Sequence, residues 1–188
     1  DADALARLAP DAVVHLAGEP ITSLDGSQSA RRKIWESRSK GTRLLAETLA
    51  ALPVPPRVLV SASASGAYGD RGDEELTEAS RRGDGFLAGV CRAWESATAP
   101  ASAAGIRVVH ARIGLVTTPS GGVLQPLAPL ASLGLGGWLG DGSAWWPWIA
   151  LDDVVYALHH LMLAGDVSGP VNLSAPAPVT TKTFVKTL

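Results

Sequence analysis

Polar and small side chains sit where two apolar stretches stop. Gly18 and Glu19 end the run Asp11-Ala-Val-Val-His-Leu-Ala-Gly18, and Ser61, Ser63, Ser65 and Tyr68 lie in Arg57-Val-Leu-Val-Ser-Ala-Ser-Ala-Ser-Gly-Ala-Tyr-Gly-Asp70. Glycine lets backbone approach a ligand, a carboxylate accepts hydroxyl hydrogen bonds, and serine and tyrosine hydroxyls donate or accept. Residues Leu16, Ala17, Gly18 and Glu19 and the Ser61 end of the second run therefore suit a nucleotide lying across strand tips, with Tyr68 an ionisable group able to give or take a proton. The plainer alternatives are a simple turn at Gly18 and a Tyr68 that packs with its hydroxyl bonded.

Two cations stand among apolar neighbours and need anions. Arg38 calls for a phosphate or carboxylate of a ligand, or for an acid such as Glu19 or Asp11; Arg112 can fork onto a phosphate or pair with Asp152 or Asp153. Trp145, Trp146 and Trp148 crowd into four positions, where Trp146 and Trp148 offer flat walls to a ring-shaped substrate or simply pack. Cys91 reads as core packing, His15 as a satisfied core histidine, and Asp73, Glu74, Glu75 and Glu78 as a solvated acidic loop.

The elements that must hold these groups alternate. The pattern predicts a helix over residues 1–9 stopped at Pro10, a strand over 12–17, and a helix over 31–49 with Ile34, Arg38, Gly41, Leu45 and Leu49 on one seam. A strand over 57–62, one helix over 86–103 and a strand over 106–111 follow, then a helix reaching Leu163 behind Asp152 and Asp153, a strand over 170–173, and a helix capped by Thr180 or Thr181. Strands alternating with helices imply a parallel sheet, so the expected class is α/β, a Rossmann-type doubly wound sheet with helices on both faces.

With 188 residues, a net charge of −2 and 46% hydrophobic content, the chain can bury one core, and its charge does not favour nucleic acid. The single cysteine excludes an internal disulfide and points to a reducing, cytoplasmic setting. No metal-ligand spacing occurs. Between Arg112 and Asp141 there is no charged residue, yet Pro119, Pro126 and Pro129 break that stretch, which reads as a mobile, partly apolar loop rather than a membrane span.

Taken in order, these segments resemble the atypical extended short-chain dehydrogenase/reductases, specifically the epimerase family proteins of the YfcH-type NAD-dependent epimerase/dehydratase group. The carriers are Val14-His-Leu-Ala-Gly-Glu-Pro-Ile21, Ser37-Arg38 with Gly41-Thr42, Ser61-Ala-Ser-Ala with Tyr68-Gly-Asp70, and Val90-Cys-Arg-Ala-Trp-Glu95. Gly134-Leu-Gly-Gly137 with Gly140 and Gly142, Trp148-Ile149 with Asp152-Asp153, and Gly169-Pro-Val-Asn-Leu173 continue the series.

The resemblance implies residues 1–188 as a partial NAD(P)-binding Rossmann-type domain, with 113–188 the smaller substrate-side segment. It implies NADP, or NAD, as cofactor, a small polar or nucleotide-linked substrate, and hydride transfer. Leu16, Ala17, Gly18, Glu19, Arg38, Ser61 and Arg112 become cofactor contacts, Tyr68, Ser63 and Ser65 catalytic candidates, and Trp146 and Trp148 substrate contacts. The Gly-rich phosphate loop of such proteins is not in this sequence, so the 12–17 strand is expected to leave an apolar edge for other chain, or a homo-oligomer partner, to cover. The Tyr and Lys of active relatives fall at Leu87 and Cys91, neither of which can serve. A catalytically degenerate, dinucleotide-sensing protein is the alternative reading.

Overall fold

The computed structural model describes residues 2–119, 121, 122, 124, 125, 129, 133, 137 and 140–187. Helix α1 (Ala2–Leu8) leads into strand β1 (Ala12–His15), shorter than the expected 12–17, so that Leu16 to Glu19 form an irregular lip beyond it. Helix α2 (Gln28–Ala50) is capped by the Ser27 hydroxyl, which accepts from the Ala30 N–H at 3.1 Å. Its buried track runs through Ala30, Ile34, Thr42, Ala46 and Leu49, with Leu45 partly buried against the same core, Arg38 half-buried at the edge and Gly41 exposed, off the anticipated seam.

Strand β2 (Val58–Ala64) follows, with a short helical turn at Ser65–Tyr68. The expected single helix over 86–103 is two, α3 (Phe86–Ser96) and α4 (Ala99–Ala103). Pro100 has no N–H to continue the ladder to Ser96, and the Thr98 hydroxyl donates to the Glu95 carbonyl at 2.8 Å, closing α3 instead. Strand β3 (Arg107–Ile113) comes next. The loop expected after it holds strand β4 (Leu115–Thr118) and β5 (Gly121–Gly122), while Pro126 and, apart from Gly137, the Gly134-Leu-Gly-Gly137 run lie outside the described residues. Strands β6 (Trp145–Trp146) and β7 (Trp148–Ala150), helix α5 (Leu151–Leu163), strands β8 (Gly169–Leu173) and β9 (Val179–Thr180), and helix α6 (Thr181–Thr187) complete the chain.

The main sheet has the order β1-β2-β3-β8, every pair parallel. Its faces are buried by alternate residues. Val58, Val60, Val109 and Ala111 pack on Val154, Leu158 and Leu161 of α5, while Leu59 and Val108 pack on Ala46 and Leu49 of α2 and Ala101 of α4. Helices therefore cover both sides, as an α/β Rossmann-type sheet requires. Each fully buried leucine, such as Leu49 or Leu59, contributes about 1.5–3 kcal/mol. Two small sheets, β5-β4-β7 and β6-β9, stand beyond the carboxyl ends of the main strands. Among the described residues no helix is long and apolar enough to cross a membrane.

The junction at Gly114 allows no side chain. A Cβ on Gly114 would fall 1.9 Å from the Pro147 carbonyl oxygen, while the Gly114 N–H donates to the Leu173 carbonyl at 2.9 Å and the Leu115 N–H to that of Pro147 at 2.8 Å. The ends of β3 and β8 and the turn before β7 meet there.

Candidate functional site

Register places three polar side chains abreast: Ser63 of β2 opposite Arg112 of β3, and Arg112 opposite Asn172 of β8. Glu95 of α3 closes on them. The Ser63 hydroxyl donates to Glu95 Oε1 at 2.7 Å, Arg112 Nε to Oε1 at 3.0 Å and Arg112 Nη2 to Oε2 at 3.2 Å, and Arg82 Nη2 donates to Oε2 as well. Arg112 and Glu95 are both buried, at 3% exposure each. Arg112 Nη1 also donates to the Tyr68 hydroxyl at 2.9 Å, and that hydroxyl donates to Asn172 Oδ1 at 2.6 Å. Arg112 is therefore paired with Glu95 rather than with Asp152 or Asp153, and its forked face is spent within the protein.

Burial alone would raise the Glu95 carboxyl, but hydrogen bonds from Arg112 and Ser63 and the charges of Arg112 and Arg82 outweigh it, and the net shift is downward. Arg112 is likewise opposed by burial and held, net, above the ordinary guanidinium range by Glu95 and Tyr68.

The second cluster surrounds the β1 lip. Arg38 Nη1 donates to the backbone carbonyl of Glu19 at 2.9 Å and to that of Ile34 at 3.4 Å, and its guanidinium lies 4.9 Å from the centre of the Trp94 ring. The Ser37 hydroxyl accepts from the Glu19 N–H at 3.0 Å and donates to the Ile34 carbonyl at 3.1 Å. The anticipated acid partner is thus replaced by a peptide oxygen and an aromatic face; Asp11 instead lies 3.7 Å from Arg57 on the surface. A Cβ on Gly18 would stand 3.3 Å from Arg38 Cζ, so the lip rests directly on the guanidinium. Burial lowers the affinity of Arg38 for its proton, and the nearby Cys91 and Glu19 partly restore it.

The remaining expected residues are distributed as follows. Leu16, Ala17 and Gly18 are exposed and Glu19 half-buried; Ser61 is fully buried in β2, its hydroxyl donating to the Ala62 carbonyl at 3.3 Å, and Ser65 is half-buried in the turn above. Leu87 is exposed, with its Cβ 3.8 Å from where a Gly66 Cβ would be. Cys91 is buried, and burial, with the charge of Glu95, pushes its thiol up and keeps it neutral. His15 is bonded to Thr42 Oγ1 at 3.0 Å, and burial lowers its affinity for a proton. Trp146 stacks on Phe184 with centroids 4.3 Å apart, and Trp148 Nε1 donates to the Ala177 carbonyl at 3.0 Å.

The acidic loop is not merely solvated. Asp73 accepts from Trp145 Nε1 and Glu78 from the Asn172 N–H, each at 2.7 Å. Grooves of about 300 Å³ beside Ser39 and Ala93 and about 500 Å³ beside Ala6 and Thr48 include no lip residue. Among the described residues no group of acids, histidines and cysteines could hold a metal. Sequence reasoning missed Glu95, Asn172, Arg82, Ser37 and Trp94 as site-builders, although all but Arg82 lie inside motifs it had marked.

The fold agrees with what the chain is similar to. Over 174 residues it is 43% identical to Epimerase family protein Mb2239 of Mycobacterium bovis, covering 93% of this chain and 57% of that protein. The chain thus spans little more than half the length of its mycobacterial relative. The crystal structure of the nucleoside-diphosphate sugar epimerase from Corynebacterium glutamicum matches with a TM-score of 0.80 and 46% identity over 94% of this chain and 37% of that one. Human epimerase family protein SDR39U1 (isoform 2), crystallised with NADPH, matches with a TM-score of 0.85 and 30% identity over 98% of this chain and 66% of that one. The family model described as the NAD dependent epimerase/dehydratase family matches residues 2–174, and the chain belongs to that family.

Proposed function

We propose that the chain supplies one side of an NAD(P) site, with NADP(H) the preferred form, in an oxidoreductase-like protein of the sugar-nucleotide epimerase/dehydratase type. The observation that carries this reading is the lip at the carboxyl ends of β1 and β2, where ligands of open α/β sheets bind. The donor set fits a dinucleotide: Gly18 presents bare backbone over the Arg38 guanidinium, Glu19 can accept from a ribose hydroxyl, and Leu16 and Ala17 are open. In the proposal Leu16 to Glu19, Arg38, Ser61 and Arg112 form or support the cofactor site, and Trp146 and Trp148 wall the substrate side. The NADPH in the human relative supports the cofactor class. A bound nicotinamide supplies a hydride donor or acceptor. Tyr68, backed by Ser63 and Ser65, is the proposed proton-transfer group.

A second reading, dinucleotide sensing without turnover, is favoured by one observation. On the family resemblance Leu87 and the buried, neutral thiol of Cys91 fall at the positions of the Tyr and Lys of active relatives, and the Tyr68 hydroxyl is already engaged by both Arg112 and Asn172. The intact protein titrated with NADPH and NADP⁺, then offered carbonyls, sugars and nucleotide sugars, separates the two. Binding with turnover lost in Tyr68→Phe, by about 10²–10⁴-fold, supports the enzyme. Binding without turnover supports the sensor, and no dinucleotide binding overturns both.

A further inference from the structure

Arg38 is a half-buried cation with no carboxylate within ion-pair distance among the described residues. A charge in that position ordinarily demands an anion, and a ligand phosphate is the obvious candidate. The geometry favours something else. Both hydrogen-bonding groups of Glu19 are taken by adjacent residues of α2, its N–H by the Ser37 hydroxyl at 3.0 Å and its carbonyl by Arg38 Nη1 at 2.9 Å. Arg38 is in turn held by α3, its Cζ lying over the Trp94 ring 4.9 Å from the ring centre, and by the Ile34 carbonyl of its own helix, which also accepts from Nη1 at 3.4 Å. The glycine before the held residue rests on the guanidinium: a Cβ there would stand 3.3 Å from Arg38 Cζ.

We infer that Ser37 and Arg38 are positioning residues for the β1 lip: together they clamp the main chain of Glu19 against α2 and α3, so that Arg38 acts through Glu19 and not by touching a ligand phosphate. The inference rests on the dinucleotide reading above and gives that site a mechanical basis. Irregular backbone keeps one conformation only when its polar groups are satisfied, and beyond β1 no neighbouring strand satisfies those of Glu19. Ser37 and Arg38 do so from a rigid helix. A lysine in place of Arg38 keeps the charge but loses the flat guanidinium over the Trp94 ring, whose Nη1 reaches the carbonyls of both Glu19 and Ile34.

The test uses the intact protein with Ser37→Ala, Arg38→Lys and Arg38→Met, measuring NADPH affinity across a range of ionic strengths, thermal midpoint, and amide exchange at Glu19. Each variant is expected to weaken NADPH binding by about 10-fold, the equivalent of one or two lost hydrogen bonds, and to accelerate Glu19 amide exchange. The dependence of affinity on salt is expected to stay as in the unaltered protein, because no screened charge contact to the ligand has been removed. Rescue of affinity by Arg38→Lys, or a flattened salt dependence in Arg38→Met, would show direct phosphate contact and overturn the inference. Unchanged affinity in Ser37→Ala would overturn it too, and that conservative variant remains informative if Arg38→Met does not fold. Failure of the unaltered protein to bind any dinucleotide is a different result, since it removes the site itself.

Discussion

The buried carboxylate of Glu95 shows how single residues set this molecule's response to acid. Its proton affinity is lowered in the folded state from an ordinary value of 4.5, and those of His15 and His110 are lowered by burial from 6.5. For each, the unfolded chain binds protons at a higher pH than the folded one, so stability rises with pH through each window. The expected profile is level from neutrality to about pH 9, declines above that as the unfolded Cys91 thiol ionises while the buried one stays protonated, declines as pH falls below 6.5 while the unfolded histidines charge, and declines again below 4.5 as Glu95 is titrated toward its lower folded value. Urea denaturation across that range measures it. Glu95→Gln strands the Arg112 cation and is expected to cost about 3–5 kcal/mol at neutral pH while flattening the lower decline. Sequence marked Arg38 and Arg112 as charges in need of partners, and that was legible from their apolar surroundings. The partners were not, because a peptide carbonyl and an aromatic face have no sequence signature, and because Glu95 reaches Arg112 only through the packing of α3 on the sheet.

Among the elements, α5 is tied down at its far end from the sheet beneath it. Arg107, the first residue of β3, donates from Nη1 to the carbonyls of Leu161 and Val167 at 3.1 and 2.8 Å, and from Nη2 to that of Met162 at 3.0 Å. The last carbonyls of a helix lack internal partners, and a cation there also complements the helix dipole. Arg107→Met is therefore expected to lower unfolding free energy by about 1–3 kcal/mol, seen as a reduced denaturant midpoint with an unchanged slope. Helices and main strands were legible from periodicity and from prolines and glycines at their ends. The break between α3 and α4 was harder to see, since Ala97 and Thr98 read as helix and only Pro100 hints at the interruption. Strand β4 was hidden for another reason: only Gly114 separates Leu115 to Thr118 from β3, and the segment becomes a strand by pairing with β7, more than thirty residues later.

In the whole molecule, the four parallel strands follow chain order except for the detour through the small sheets between β3 and β8. Gly114 is where that detour leaves the main sheet. Gly114→Ala is expected to prevent native folding or to cost several kcal/mol, because the new methyl group would collide with the backbone of Pro147 rather than with a side chain able to turn aside. Loss of a cooperative thermal transition, or its large downward shift, is the readout. The α/β class and its lip were foreseeable from alternating apolar runs; the three-way meeting of Gly114, Pro147 and Leu173 was not, since it joins positions far apart in the chain. It bears on how such proteins can be recombined. A chimera that joins one relative's residues up to this point with another's beyond it inherits two halves of a joint shaped by different lineages, whereas a transplant carrying everything from Gly114 to Leu173 moves the joint intact.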